Sequence, residues 1–262
     1  MKMIVFGSSG FIGKHLVKRL KKLEYKVLEI HHDELYDIKK ADYIFYLSSY
    51  GNHYHQNDKL KTIKANIIDL YSLLKLTKDI KYKGFIHFST SSVILPVQTL
   101  YSDTNFVAEL ICKRFARKYH KSIVSVRPFS VYGEGEAPFR FIPTLIQSLK
   151  NHSIMKLTQG MHDWIYIEDF IDAIMRITSN MDKISGKCIS IGTGKQYSNF
   201  DVVQKLIHIS GKPLETKMDN SVSRIYDTTS WIADTTIIKS LGWIPHITLD
   251  EGLRRLWITQ SL

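Results

Sequence analysis

Apolar residues recur along this chain in two rhythms, and their alternation lays out a fold. Met3-Ile4-Val5-Phe6 is a short apolar run of the kind a buried strand makes, and soon after it Leu16, Val17, Leu20 and Leu23 recur at helical spacing with lysines between them. Further strand-like runs occupy Lys26–Ile30, Tyr43–Leu47, Gly84–Ser89 and Ile123–Arg127, and helical patterns cover about Asp58–Lys78 and Tyr101–Tyr119. Strands separated by helices predict an α/β fold with a doubly wound parallel sheet. Only the dozen residues from His31 to Asp42 separate the second strand from the third, too few for a helix, a strand and another helix. One unit of the sheet is therefore expected to be shortened or missing there. Beyond Pro128 the pattern becomes mixed and richer in loops, with helices near Phe139–Leu149, Asp169–Thr178, Phe200–Ser210 and Leu249–Ile258 and a strand at Cys188–Ile191. This half predicts a smaller C-terminal lobe.

The junction between the first strand and the first helix carries Gly7-Ser8-Ser9-Gly10-Phe11-Ile12-Gly13. A strand that turns sharply into a helix leaves the first N–H groups and the positive dipole end of that helix aimed at one spot, which suits a pyrophosphate. Gly7 permits the tight turn, Gly10 lets the backbone approach the phosphates, and Gly13 lets helix and strand pack closely. A dinucleotide is expected here, with Ser9, Phe11 and Ile12 beside the glycines.

Composition narrows the class. At 262 residues the chain can bury a substantial core. No stretch approaches the roughly 18–20 continuous apolar residues of a membrane helix, and the opening residues lack a signal-peptide pattern. The two cysteines, Cys112 and Cys188, lie in apolar runs and suggest neither a disulfide scaffold nor a zinc site, so a reducing cytoplasm is expected. His53 and His55 have no third ligand at metal-binding spacing, and no metal is expected. The net charge of +11 favours anionic partners without choosing among them. No recognition helix, zinc finger or aromatic RNA-binding motif accompanies it, so nucleic acid is not the expected partner.

From the first strand to the last helix, the order of motifs resembles the extended short-chain dehydrogenase/reductases, the NAD-dependent epimerase/dehydratase family that acts on nucleotide sugars. The residues carrying the resemblance are the opening glycine pattern, His87-Phe88-Ser89-Thr90-Ser91-Ser92-Val93, the helix Tyr101-Ser102-Asp103-Thr104-Asn105 with Glu109, and Arg127-Pro128-Phe129-Ser130-Val131-Tyr132-Gly133. Asp163-Trp164-Ile165-Tyr166-Ile167-Glu168-Asp169, Ile191-Gly192-Thr193-Gly194 and Leu241-Gly242-Trp243-Ile244-Pro245 extend it over nearly the whole chain. The resemblance implies a Rossmann-type dinucleotide domain from residues 1–133 plus about 164–195, interleaved with a substrate lobe from about 134–163 and 196–262. It implies Tyr101 as acid or base on a sugar hydroxyl and Thr90 as the hydroxyl that steadies the same oxygen, while NAD or NADP takes and returns a hydride.

The chain departs from the family where a lysine should stand four residues after the tyrosine: it has Asn105. An amide can hydrogen-bond a ribose hydroxyl but cannot stabilise a tyrosinate by charge, and a free tyrosine with a pKa of about 10 is a poor base near neutrality. Tyr36 with Lys40 and Tyr71 with Lys75 repeat the spacing, but neither follows the strand that carries Thr90. The Thr90–Tyr101 segment is also shorter than the family's usual one, which predicts a more open site.

NAD users of this fold place an acidic residue after the second strand, and here His31 and His32 stand there, followed by Asp33. The absence of an immediate carboxylate suits a 2′-phosphate, whereas Asp33 could reach a ribose, so NAD and NADP both remain open. By resemblance, Leu47, Ser48 and Ser49 would line the cofactor, Asn66 would sit near it, and Pro128 would place its backbone by the carboxamide. A nucleotide-diphosphate sugar is the expected substrate. Arg224, ten residues before Asp234, matches the spacing of the family's diphosphate-binding arginine, and a guanidinium binds phosphate oxygens in pairs. His162 stands where another arginine is common. The sequence thus predicts a nucleotide-sugar epimerase, dehydratase or reductase, with a weakly active or non-catalytic relative that binds a dinucleotide or sugar nucleotide as the alternative that Asn105 favours. A homodimer paired through Asp58–Lys78 and Tyr101–Tyr119 is expected.

Overall fold

The structure, a computed structural model, describes residues 1–31, 38–219 and 228–261. The first half runs β1 (Lys2–Phe6), α1 (Phe11–Lys22), β2 (Lys26–Ile30), β3 (Tyr43–Tyr46), α2 (Lys59–Ile63), α3 (Asp69–Thr77), β4 (Gly84–Phe88), α4 (Leu100–Tyr119), β5 (Ile123–Pro128) and β6 (Ser130–Tyr132). The second half runs α5 (Phe141–Asn151), β7 (Met155–Leu157), β8 (Met161–His162), β9 (Trp164–Tyr166), α6 (Ile167–Thr178), α7 (Met181–Ile184) and β10 (Cys188–Ile191). It closes with β11 (Tyr197–Ser198), α8 (Asn199–Ser210), β12 (Thr216–Met218), α9 (Thr236–Ser240) and α10 (Leu249–Ser261).

Six parallel strands form one sheet in the order β10-β5-β4-β3-β1-β2. The central strands read as unbroken apolar runs because both faces are covered; every residue of β4 is buried. β2 and β10 are the edge strands of this sheet, and residues 32–37 of the segment expected to hold a shortened unit lie outside the described residues. Phe6, Ile30, Tyr46, Phe88 and Ile191 close their strands at one edge of the sheet, which is where ligands bind in such folds.

The apolar positions sort into two clusters. One packs Leu16, Val17 and Leu20 of α1 and Phe170, Ile174 and Ile177 of α6 on one face, and continues without a break to Leu145, Val202 and Leu253. The other packs Leu70, Leu73 and Leu74 of α3 with Ala108, Cys112 and Phe115 of α4. Small strand pairs β7–β12 and β8–β11 tie residues 155–162 to residues 216–218 and 197–198.

Local signals set the helix ends. Thr99 caps α4 in a reciprocal box with Ser102, and Ser198 does the same for α8 with Asp201. The expected helix near Phe139 starts two residues later, at Phe141, because Arg140 is in extended backbone as its cap. The helix expected over Asp58–Lys78 is interrupted: a π-helical turn at Lys64–Ile68 separates α2 from α3, and Asn66 sits within it.

Candidate active site

β1 has β2 on one side and β3 on the other, so the chain's order reverses across it and a crevice opens at its C-terminal end. Gly7 lies there with φ +76°, and a Cβ on it would stand 3.0 Å from the Leu47 carbonyl carbon and the Ser48 nitrogen. A Cβ on Gly13 would stand 2.2 Å from the Gly7 oxygen, far inside van der Waals contact, so α1 can sit this close to β1 only with glycine at that place. Gly10 is different. Its φ of −69° suits any residue, and an added Cβ would meet only the Gly7 oxygen at 3.4 Å. The protein's own packing therefore does not require glycine at position 10, whereas a phosphate brought against that backbone would.

Gly10 caps α1 without a side chain, and no acidic residue stands in the first turn. The N–H groups of Phe11, Ile12 and Gly13 thus keep their donor capacity, and Ser9 and Gly10 form the exposed tip of the turn. This is a cradle whose shape and polarity fit a dinucleotide pyrophosphate. His31 follows β2, exposed, with Nδ1 3.5 Å from the Ser8 hydroxyl. His32, Asp33 and Arg224 lie outside the described residues.

Leu47, Ser48 and Ser49 leave β3 along the opposite wall, with the Leu47 N–H donating to the Phe6 carbonyl. Asn66 holds the next residue: its Oδ1 accepts from the Tyr50 N–H at 2.9 Å, and its Nδ2 donates to the Tyr50 carbonyl and to the Thr104 hydroxyl, each at 2.9 Å. Asn66 is buried, and its amide ties the loop after β3 to α4. Gly51, with φ +103°, follows; a Cβ there would touch the Tyr101 ring at 3.4 Å.

Tyr101 occupies the first turn of α4, and Thr90 follows β4 with its hydroxyl accepting from the Ser92 N–H at 3.2 Å. Asn105 is buried, and its Nδ2 donates to the Tyr101 backbone carbonyl at 2.8 Å. One of the two Nδ2 hydrogens is thus used within its own helix.

Glu109 was legible only as a motif member, and the structure shows what it does. The Ser89 hydroxyl donates to its Oε1 at 2.6 Å, while Arg127 donates through Nε at 2.8 Å and Nη2 at 2.6 Å. Glu109 thereby locks the residue before Thr90, the helix of Tyr101 and the residue before Pro128 to one another, and its hydrogen bonds to the guanidinium raise the Arg127 pKa against the opposing effect of burial. Pro128 ends β5 opposite Ile191.

Asp163 is a second hub. It accepts from the Thr193 N–H and hydroxyl, each at 2.7 Å, the Gly194 N–H at 2.9 Å and the Ala233 N–H at 3.1 Å. Burial pushes its carboxyl above the ordinary value while these donors pull it down. Gly192 must be glycine, since a Cβ would stand 2.6 Å from Asp163 Oδ2. His162, beside it, is buried between Trp164 and Trp231, each ring centroid 5.2 Å away, with Nδ1 3.3 Å from the Ser130 hydroxyl.

Two loops meet at the mouth of the crevice. His53 stacks on His55 at 5.4 Å, and Phe139 stands edge-on to both. Glu136, on the Phe139 loop, is almost wholly buried with Arg140 3.6 Å away, and burial pushes its carboxyl up to about 7. Sequence reasoning did not single out Glu136, because a glutamate in a Gly-rich loop reads as solvated.

The chain is similar to known proteins over most of its length. A model of the NAD dependent epimerase/dehydratase family matches residues 3–192. The chain is 26% identical to CDP-abequose synthase of Salmonella typhimurium strain LT2, over 97% of this chain and 96% of that one. It is 27% identical to GDP-6-deoxy-D-talose 4-dehydrogenase of Aggregatibacter actinomycetemcomitans, over 92% of each. The crystal structure of UDP-glucuronic acid 4-epimerase from Bacillus cereus, in complex with UDP-glucuronic acid and NAD, superposes over 100% of both chains with a TM-score of 0.86 at 26% identity.

Proposed function

The chain belongs to the NAD dependent epimerase/dehydratase family, and from that premise we propose that it is a nucleotide-sugar epimerase, dehydratase or reductase using Tyr101 and Thr90. The observation that carries the reading is the hydrogen-bonded frame of Glu109, Ser89 and Arg127, which holds the Thr90 strand end and the Tyr101 helix together beside the glycine cradle.

When bound, NAD or NADP supplies a hydride acceptor and donor at its nicotinamide. The chain's residues do the rest. Gly7, Gly10 and Gly13 shape the turn, and Ser9 and the N–H groups of Phe11, Ile12 and Gly13 receive the pyrophosphate. His31 faces the adenosine ribose, and Leu47, Ser48, Ser49 and Pro128 flank the cofactor, with Asn66 holding their loop. Tyr101 Oη takes the proton of the sugar hydroxyl being oxidised, or returns it, and Thr90 Oγ1 hydrogen-bonds the same oxygen. Arg224 and His162 serve the nucleotide diphosphate in the lobe formed by residues of about 134–163 and 196–262. Two copies pair through Asp58–Lys78 and Tyr101–Tyr119, where Ile68, Tyr71, Leu76 and Val107 are exposed.

The amide of Asn105, bonded to the Tyr101 carbonyl, favours a second reading in which the protein binds dinucleotide and sugar nucleotide with little turnover. Purified protein tested for NAD(H) and NADP(H) binding, then incubated with UDP-, GDP-, CDP- and dTDP-sugars, separates the two. Conversion of one sugar supports the enzyme, and cofactor binding with no conversion overturns it in favour of the binding protein. If Tyr101 lacks only the usual charge beside it, Asn105→Lys moves the pH–rate profile toward lower pH.

A further inference from the structure

The outer flank of α4 faces a groove of 630 Å³ that none of the proposed site residues lines. Its floor is the Glu109–Arg127 pair, its rim carries Lys113, Arg117 and Lys187, and Phe106, Leu110 and Ile237 are its apolar wall. Three features distinguish it from an ordinary basic surface. First, Lys113, Arg117 and Lys187 make no ion pair with a described residue, although other lysines and arginines of the chain do. The one carboxylate in the groove, Glu109, is already committed to Arg127 and Ser89, so the lining holds an excess of positive charge.

Second, Arg127 is preorganised. Nε and Nη2 grip Glu109, which fixes the plane of the guanidinium and leaves Nη1 as a donor in a set direction. The side chain is one-fifth exposed, on the floor of the groove. An anion meeting it loses little to ordering of the protein. Third, the groove's volume lies within the range of about 300–1,000 Å³ typical of small-molecule sites, and it offers an apolar wall beside the cations.

We propose that this groove binds a small organic dianion, a phosphate ester or a polycarboxylate, whose charged group sits among Arg127, Lys113, Arg117 and Lys187 and whose apolar body lies on Phe106, Leu110 and Ile237. The groove is distinct from the proposed catalytic site. Glu109 is eight residues beyond Tyr101, roughly 12 Å along α4. The two are nonetheless joined, because Glu109 also holds Ser89, the neighbour of Thr90.

The test is calorimetric titration of the full-length protein, with NAD saturating so that the glycine cradle is filled, against 1-naphthyl phosphate, inorganic phosphate and citrate. Lys113→Ala/Arg117→Ala removes two exposed rim cations, and Arg114→Ala/Lys118→Ala removes two cations of the same helix outside the groove. The expected result is binding of 1-naphthyl phosphate or citrate that weakens at least tenfold in the first variant and holds within twofold in the second, with NAD affinity unaltered in both. Preference for 1-naphthyl phosphate over inorganic phosphate assigns the apolar wall to the ligand's body; preference for citrate assigns the site to carboxylates. No binding at about 1 mM ligand, or equal weakening by both variants, overturns the proposal, the latter because it would mark diffuse attraction to a basic surface. Failure of the sugar-nucleotide assay leaves this result untouched, since none of the three titrants is a nucleotide sugar.

Discussion

At the scale of single residues, the three glycines of the opening turn have different physical reasons for being there. Gly13 is forced by the fold, because its missing side chain is where the Gly7 carbonyl stands. Gly13→Ala should therefore lower stability by about 2 kcal/mol or more, read as a fall in the melting temperature without any ligand. Gly10→Ala should leave that temperature nearly unchanged and weaken NAD(P) binding at least tenfold, as measured by fluorescence titration. Equal loss of stability in both variants would refute this division. Glu136 supplies a pH signature. Its native carboxyl keeps a proton to about pH 7, whereas an unfolded one with the ordinary value of 4.5 releases it earlier. Native molecules thus hold more proton between those values, and stability falls as pH rises from about 4.5 to 7, by at most about 3 kcal/mol. Glu136→Gln should remove that part of the slope in melting temperature against pH.

At the scale of elements, the helix expected across Asp58–Lys78 and the one observed differ by a single π turn, and that turn has a function. It turns Asn66 inward to bond the Tyr50 backbone and Thr104, an arrangement that hydrophobic periodicity cannot register because it concerns one polar residue. The same holds for Asp163. Its place in a motif was legible, but its partners Thr193, Gly194 and Ala233 come from segments 30 to 70 residues away. Asp163→Asn would set an amide N–H₂ against those donors, and a loss of about 2 kcal/mol is expected in chemical denaturation. An unchanged midpoint would show that the Ile191–Gly194 turn is held by something else.

At the scale of the whole molecule, the exposed Tyr71 and Leu76 of α3 and Val107 of α4 lie on the helices through which the chain is expected to pair with itself. Tyr71→Asp, at an exposed position, should shift the protein toward monomer in sedimentation velocity while preserving its circular dichroism; a monomeric wild type would overturn the dimer. Among the described residues no helix is long and apolar enough to cross a membrane. Alternating apolar runs in the sequence determined the parallel sheet and its strands, to within a residue or two, because burial on both faces writes itself into consecutive positions. The glycine turn was equally plain, since its geometry is local. What only the tertiary structure decided were contacts between distant segments. Glu109 bonding Ser89 and Arg127, Asn105 donating to the Tyr101 carbonyl, and the cationic groove behind α4 depend on where the chain brings charged and polar atoms in space, and no periodicity along the sequence encodes that distance.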